Sequence, residues 1–172
     1  MIGNDVVDLI QARQDNNWQR IGFLDKLFLE SEQLLIAKAK NPEIMVWMLW
    51  SMKEAAYKIL NRKTQKREYI PKQLLCSVSS SDDSGYTGFV RHVDFSCYTQ
   101  TRITEGIIHT FATAQQEDLK WVTEVTAPNI IKDEHRIPWL YDRASATLVP
   151  VSVSHHGRCT KVVQLLKKPL PL

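Results

Sequence analysis

Cysteine is scarce in this chain, charge of one sign hardly dominates, and no long apolar run occurs. Each of these shortages closes off a class of protein. Cys76, Cys97 and Cys159 are odd in number, widely spaced, and match no zinc or redox spacing. They do not describe a disulfide framework, and reduced thiols in a cytoplasmic protein are the expectation. The net charge of +3 suits acidic or phosphorylated partners but falls well short of a nucleic-acid binder's. No apolar stretch approaches the ~18 residues that a membrane span needs. Met1-Ile2-Gly3-Asn4-Asp5 lacks the basic and apolar regions of a signal peptide. There is no internal repeat, and the only biased segment is the serine cluster at 77–84. What is left is ordinary globular composition over 172 residues, enough for one domain (1–172) with a full core.

Against that background one stretch stands out. Ile44 to Leu60 contains neither Gly nor Pro and is rich in helix formers. Its first half, Ile44-Met45-Val46-Trp47-Met48-Leu49-Trp50, is apolar on every side, the mark of a helix buried all round. Into this element the chain places Lys53, Glu54 and Lys58. A carboxylate there needs a cation, hydrogen bonds or a metal to offset its lost hydration. Glu54 and Lys58 are four residues apart and share a face, so they form either an intrahelical ion pair or a ligand and an anion contact.

The surrounding chain supplies further anomalies. Ile2 to Leu9 reads as a strand carrying Asp5 and Asp8 among apolar residues, with Gly3 offering a close approach to the backbone. Asp5 is either a strand-end cap or a functional carboxylate; Asp8 reads as a cap or turn former for a helix over Ile10 to Ile21. Arg13 and Arg20 then share a helix face, and Ser31 is placed to cap a helix through Ala39. Asn41-Pro42 restarts the chain as the long helix. Asn61 to Arg67 is basic, suited to a phosphate or simply solvated. Beyond Pro71 the period becomes alternating, giving strands over Leu75–Val78, Tyr86–Tyr98, Ile107–Ala114 and Leu119–Val125, with a hairpin turn at 81–85. Ile137 to Leu140 reads as an edge or loop. In Val151-Ser152-Val153-Ser154-His155-His156-Gly157 the serines face one side and the valines the other, with a last strand over Cys159–Leu166.

Two carboxylates on rigid elements, joined by water and a phosphate ligand, are how magnesium is normally held. A lysine one turn away can neutralise a phosphate oxygen, and serines and a histidine can bind others. The set suits metal-assisted phosphoryl-type transfer. Ile2-Gly3-Asn4-Asp5 followed by Trp50-Ser51-Met52-Lys53-Glu54-Ala55-Ala56-Tyr57-Lys58 resembles the two-part signature of the 4'-phosphopantetheinyl transferase superfamily. Phe23 to Phe28 with Ser31-Glu32 looks like the helix entry between the two motifs. Val151 to His155 looks like the superfamily's Ser-x-Ser/Thr-His strand. The block order is similar to that of the short, single-copy holo-acyl-carrier-protein synthase type.

The resemblance implies an α+β fold with a long buried helix on a largely antiparallel sheet. It implies that Asp5 and Glu54 bind magnesium with the pyrophosphate of coenzyme A, and that Lys58 contacts the phosphates. Glu54 would help to deprotonate an acceptor serine on an acyl or peptidyl carrier protein, releasing 3',5'-ADP. His155 would bond a phosphate of coenzyme A, supported by Ser152 or Ser154, and Lys53 has no settled role. By the same analogy the site would lie between subunits of a homotrimer, His155 of one serving Asp5 and Glu54 of the next. Arg13 and Arg20 would face the carrier. Where some members carry an acid two residues after the first aspartate, this chain has Val7. The acid next along, Asp8, lies on the opposite strand face from Asp5. The rivals are a non-catalytic carrier-protein or nucleotide-binding module of the same fold and, far behind, an RNA binder resting on Asn61 to Arg67.

Overall fold

A computed structural model describes residues 1–82, 85–126 and 129–166. The turn over 81–85 therefore lies partly outside the described residues. The long helix, α4, runs Pro42–Thr64 after α1 (Leu9–Asp15), α2 (Phe23–Leu27) and α3 (Glu30–Lys38). Asn41 caps it by accepting from the Ile44 amide at 3.2 Å, Pro42 opens it, and Gln65 in the left-handed conformation closes it. Val46, Met48, Leu49, Met52, Ala55, Ala56 and Ile59 are buried, but Ile44, Met45 and Trp50 are only half-buried, so the first half is not enclosed on every side as expected.

β1 (Ile2–Asp8) leads into the first sheet, order β1-β5-β4-β3-β2, with β2 Leu75–Asp82, β3 Gly85–Arg91, β4 Ser96–Thr104 and β5 Ile107–Thr113. Every pairing in it is antiparallel. The single strand expected over Tyr86–Tyr98 is two, because the chain turns at His92–Phe95, where the His92 amide donates to the Phe95 carbonyl. A second antiparallel sheet, order β6-β10-β9-β8-β7, is built from β6 Val122–Glu124, β7 Ile130–Lys132, β8 Pro138–Asp142, β9 Thr147–His156 and β10 Cys159–Leu165. Of the strand expected over Leu119–Val125 only β6 forms; a 3-10 turn, Gln116–Trp121, takes the rest. Ile137 to Leu140 is no edge: β8 lies between β7 and β9, with Pro138 at its first position, where the missing amide costs least.

The helical half differs in two places. α1 stops at Asp15, so Arg20 lies in the following turn and shares no helix face with Arg13. Ser31 sits inside α3; the cap position is Leu29, whose amide donates to Glu32 Oε2 at 2.8 Å. Among the described residues no helix is long and apolar enough to cross a membrane.

Candidate active site

The site begins at a glycine. A Cβ on Gly3 would lie 2.0 Å from the Ala55 carbonyl oxygen, so only glycine lets α4 cross β1 this closely. The close approach expected at Gly3 is therefore made by α4 rather than by a bound molecule. It brings Asp5 and Glu54, each next to or two residues from that crossing, onto the wall of one cavity of about 440 Å³. Trp47, Trp50 and Phe23 supply its apolar side, and Arg20, Lys26 and His155 its basic one.

Asp5 is buried, and its Oδ1 accepts from Ser154 Oγ at 2.8 Å and faces Lys58 Nζ at 3.6 Å. Burial pushes its carboxyl upward against the pull of Lys58. Glu54, further along the same wall, is pushed to about 7 by burial and by repulsion from Asp5, with Lys58 opposing. Behind it Tyr69 packs between Trp50 and Tyr57, ring centroids 5.8 and 4.9 Å away. The Tyr69 hydroxyl faces Glu54 without closing a bond of good geometry. Nothing in the local sequence pattern announced Tyr69.

Lys58 does more than neighbour Glu54. Its ammonium donates to the Asn4 carbonyl at 2.6 Å and to the Val153 carbonyl at 3.1 Å. Those bonds tie α4 to β1 and β9 and leave its third direction for Asp5. Arg62, one turn on, donates to the Val151 carbonyl at 2.7 Å and lies over the Trp139 ring. With Lys132, Arg136, Lys58 and His155 it lines a second cavity of about 330 Å³, with no acidic side chain in its lining among the described residues. His155 is exposed and belongs to both cavities.

The two serines of β9 bond to β1 beside the site. Ser152 Oγ accepts from the Asn4 amide at 2.9 Å, and Ser154 Oγ accepts from the Val6 amide at 3.1 Å while donating to Asp5. Both are buried. Lys53 faces away from the cavity, fully buried, bonded to Glu32 Oε2 at 2.8 Å and to the carbonyls of Pro71 and Leu74. Arg13 is taken by a two-pronged pair with Glu43, 2.7 and 2.8 Å. Asp8 accepts from the Ile10 amide as helix cap and from Arg158, out of the site as strand parity requires. His155, Asp5 and Glu54 all line one cavity of a single chain.

The profile of the 4'-phosphopantetheinyl transferase superfamily matches residues 1–115. The chain belongs to the 4'-phosphopantetheinyl transferase superfamily. The matched span holds β1, α4 and the first sheet, hence Asp5, Glu54 and Lys58, while β9 with His155 lies beyond it. Comparison with curated proteins finds no match. A divalent metal generally accompanies members of this transferase superfamily, and the donor set fits one. Burial raises both carboxyls and Asp5 repels Glu54, with Lys58 opposing, so a bound cation would ease the cost of ionising the pair. Two carboxylates are also what magnesium takes when water and phosphate complete its shell.

Proposed function

We propose that this transferase moves 4'-phosphopantetheine from coenzyme A to a serine of an acyl or peptidyl carrier protein, with magnesium. The observation that carries the reading is the pairing of Asp5 and Glu54 on one cavity wall, with Glu54 poised near neutrality. Magnesium, held by Asp5 and Glu54, would supply charge neutralisation at the pyrophosphate. Glu54 takes the proton from the acceptor serine hydroxyl as its oxygen attacks the pantetheine-side phosphorus. The bond from that phosphorus to the bridging oxygen breaks, and 3',5'-ADP leaves with the electron pair. Lys58 favours the charged form of Asp5 against the upward push of burial and adds positive potential at the mouth of the second cavity, where His155 and Arg62 present further donors to phosphate. Arg20 and Lys26 at the rim of the first cavity face the acidic carrier; Arg13, neutralised by Glu43, contributes little.

Asp5, Glu54 and His155 line one cavity of a single chain, so this reading is a site that one chain serves alone, against the homotrimer that a divided site would need. Light scattering alongside the assay separates the two: a fully active monomer fits this reading. A cytoplasmic location fits the free thiols of Cys76, Cys97 and Cys159. The test is Glu54→Gln. It should lower transfer at least ~100-fold with the circular dichroism unchanged, and near-normal transfer would end the assignment. The non-catalytic module reading gains only if the wild-type protein binds coenzyme A and never turns over.

A further inference from the structure

One strand of the second sheet reads the free edge of the first. β1 is an edge strand, and in an antiparallel pair alternate residues turn their amides away from the partner. Asn4, Val6 and Asp8 are such alternate residues. Their amides donate to Ser152 Oγ at 2.9 Å, Ser154 Oγ at 3.1 Å and His156 Nδ1 at 3.0 Å. Every partner is 148 residues further along, so side chains at 152, 154 and 156 match backbone groups at 4, 6 and 8 one for one. Strand alternation then sends His155 to the other face, where it lines both cavities, while His156 reaches the first cavity and Ser152 the second from the locking face. The next residue completes the fit: a Cβ on Gly157, whose φ is 53°, would lie 2.7 Å from Asp8 Oδ2.

We propose that Ser152, Ser154 and His156 are positioning residues, a three-point register lock that sets β9 on the edge of β1 and so places His155 at the active site. The proposal rests on the functional reading above for its consequence, and on the three bonds alone for its geometry. A slip of one residue would present Val151, Val153 and His155 to the amides and turn His155 out of the cavities. The lock also gives a reason for the burial of these serines: their oxygens accept from backbone amides of β1. His156 acts here through an unprotonated Nδ1, an acceptor position that the Oδ1 of asparagine reproduces and alanine does not.

The test uses the full chain and amide hydrogen exchange resolved by NMR. Ser152→Ala should speed exchange of the Asn4 amide about fivefold or more, the worth of one lost hydrogen bond. Ser154→Ala should do the same for Val6, and His156→Ala for Asp8, with His156→Asn restoring the Asp8 rate. Wild-type exchange rates in all three alanine variants would overturn the lock, whatever the protein's activity. The second arm is a double-mutant cycle in coenzyme A loading. His155→Ala should raise the KM for coenzyme A in the wild-type chain but change it little once Ser152→Ala and His156→Ala have released the strand. Fully additive losses would overturn the positioning role while leaving the lock. Absence of any loading would instead sink the functional reading, with the exchange result still standing. Each single variant reads its own amide, so the test survives failure of a multiple variant to fold.

Discussion

Glu54 concentrates the chemistry at the scale of single residues. Its ionisation at about 7 is set first by burial and next by Asp5, with Lys58 pulling the other way. In the folded, metal-free protein it therefore holds its proton more tightly than the ordinary carboxyl at 4.5. The folded state binds the extra proton, so this stabilisation is fully present below about pH 4.5 and is lost as pH rises through about 7. Up to about 3 kcal/mol is at stake by linkage. Thermal unfolding without magnesium should show lower stability at pH 8 than at pH 6, and Glu54→Gln should flatten that difference. Added magnesium should lower the Glu54 ionisation, seen by NMR of the labelled carboxyl. An ionisation unmoved by the metal would separate Glu54 from the metal site.

Among elements, α4 is the mount, and two of the contacts that hold it can be tested separately. Lys53 and Glu32 form a fully buried pair in which Glu32 also accepts from the Leu29 and Cys76 amides. Lys53→Ala would strand Glu32 unpaired and should cost roughly 3–5 kcal/mol in chemical denaturation. Joint replacement of both by apolar residues should cost much less, and transfer per folded molecule should survive it, since neither touches the cavity. The crossing at Gly3 is the other contact. Gly3→Ala meets the Ala55 carbonyl and should lower both stability and activity by driving α4 off β1. The extent of α4 was legible within a few residues because an uninterrupted apolar run with an Asn-Pro start admits little else. The role of Lys53 was not: its partners stand 18 to 21 residues away on α3 and the Pro71–Leu74 turn. The end of α1 was missed because helical spacing continued past Asp15 into a turn.

On the scale of the whole molecule, two sheets meet along β1, and the site lies where α4 passes beneath that seam. Asp5, Glu54, Lys58 and His155 could be named as candidates because each lies in one of three short motifs, Glu54 and Lys58 sharing the second. What Ser152 and Ser154 do depends on which strand edge β9 meets, and no local pattern records that. The same holds for the five strands of the second sheet, whose proline-broken segments carry weak alternation and pair across long separations. Replacing Gly157 by alanine should weaken the docking of the β9 turn on Asp8 by at least ~1 kcal/mol. The most direct test of the central claim is mass spectrometry of candidate apo-carriers incubated with the protein, coenzyme A and magnesium. The account predicts that one carrier gains the mass of a single phosphopantetheine, and that Asp5→Asn and Glu54→Gln abolish the gain. A panel of fatty-acid, polyketide and peptide carriers left unmodified, or modified equally by those variants, would contradict it.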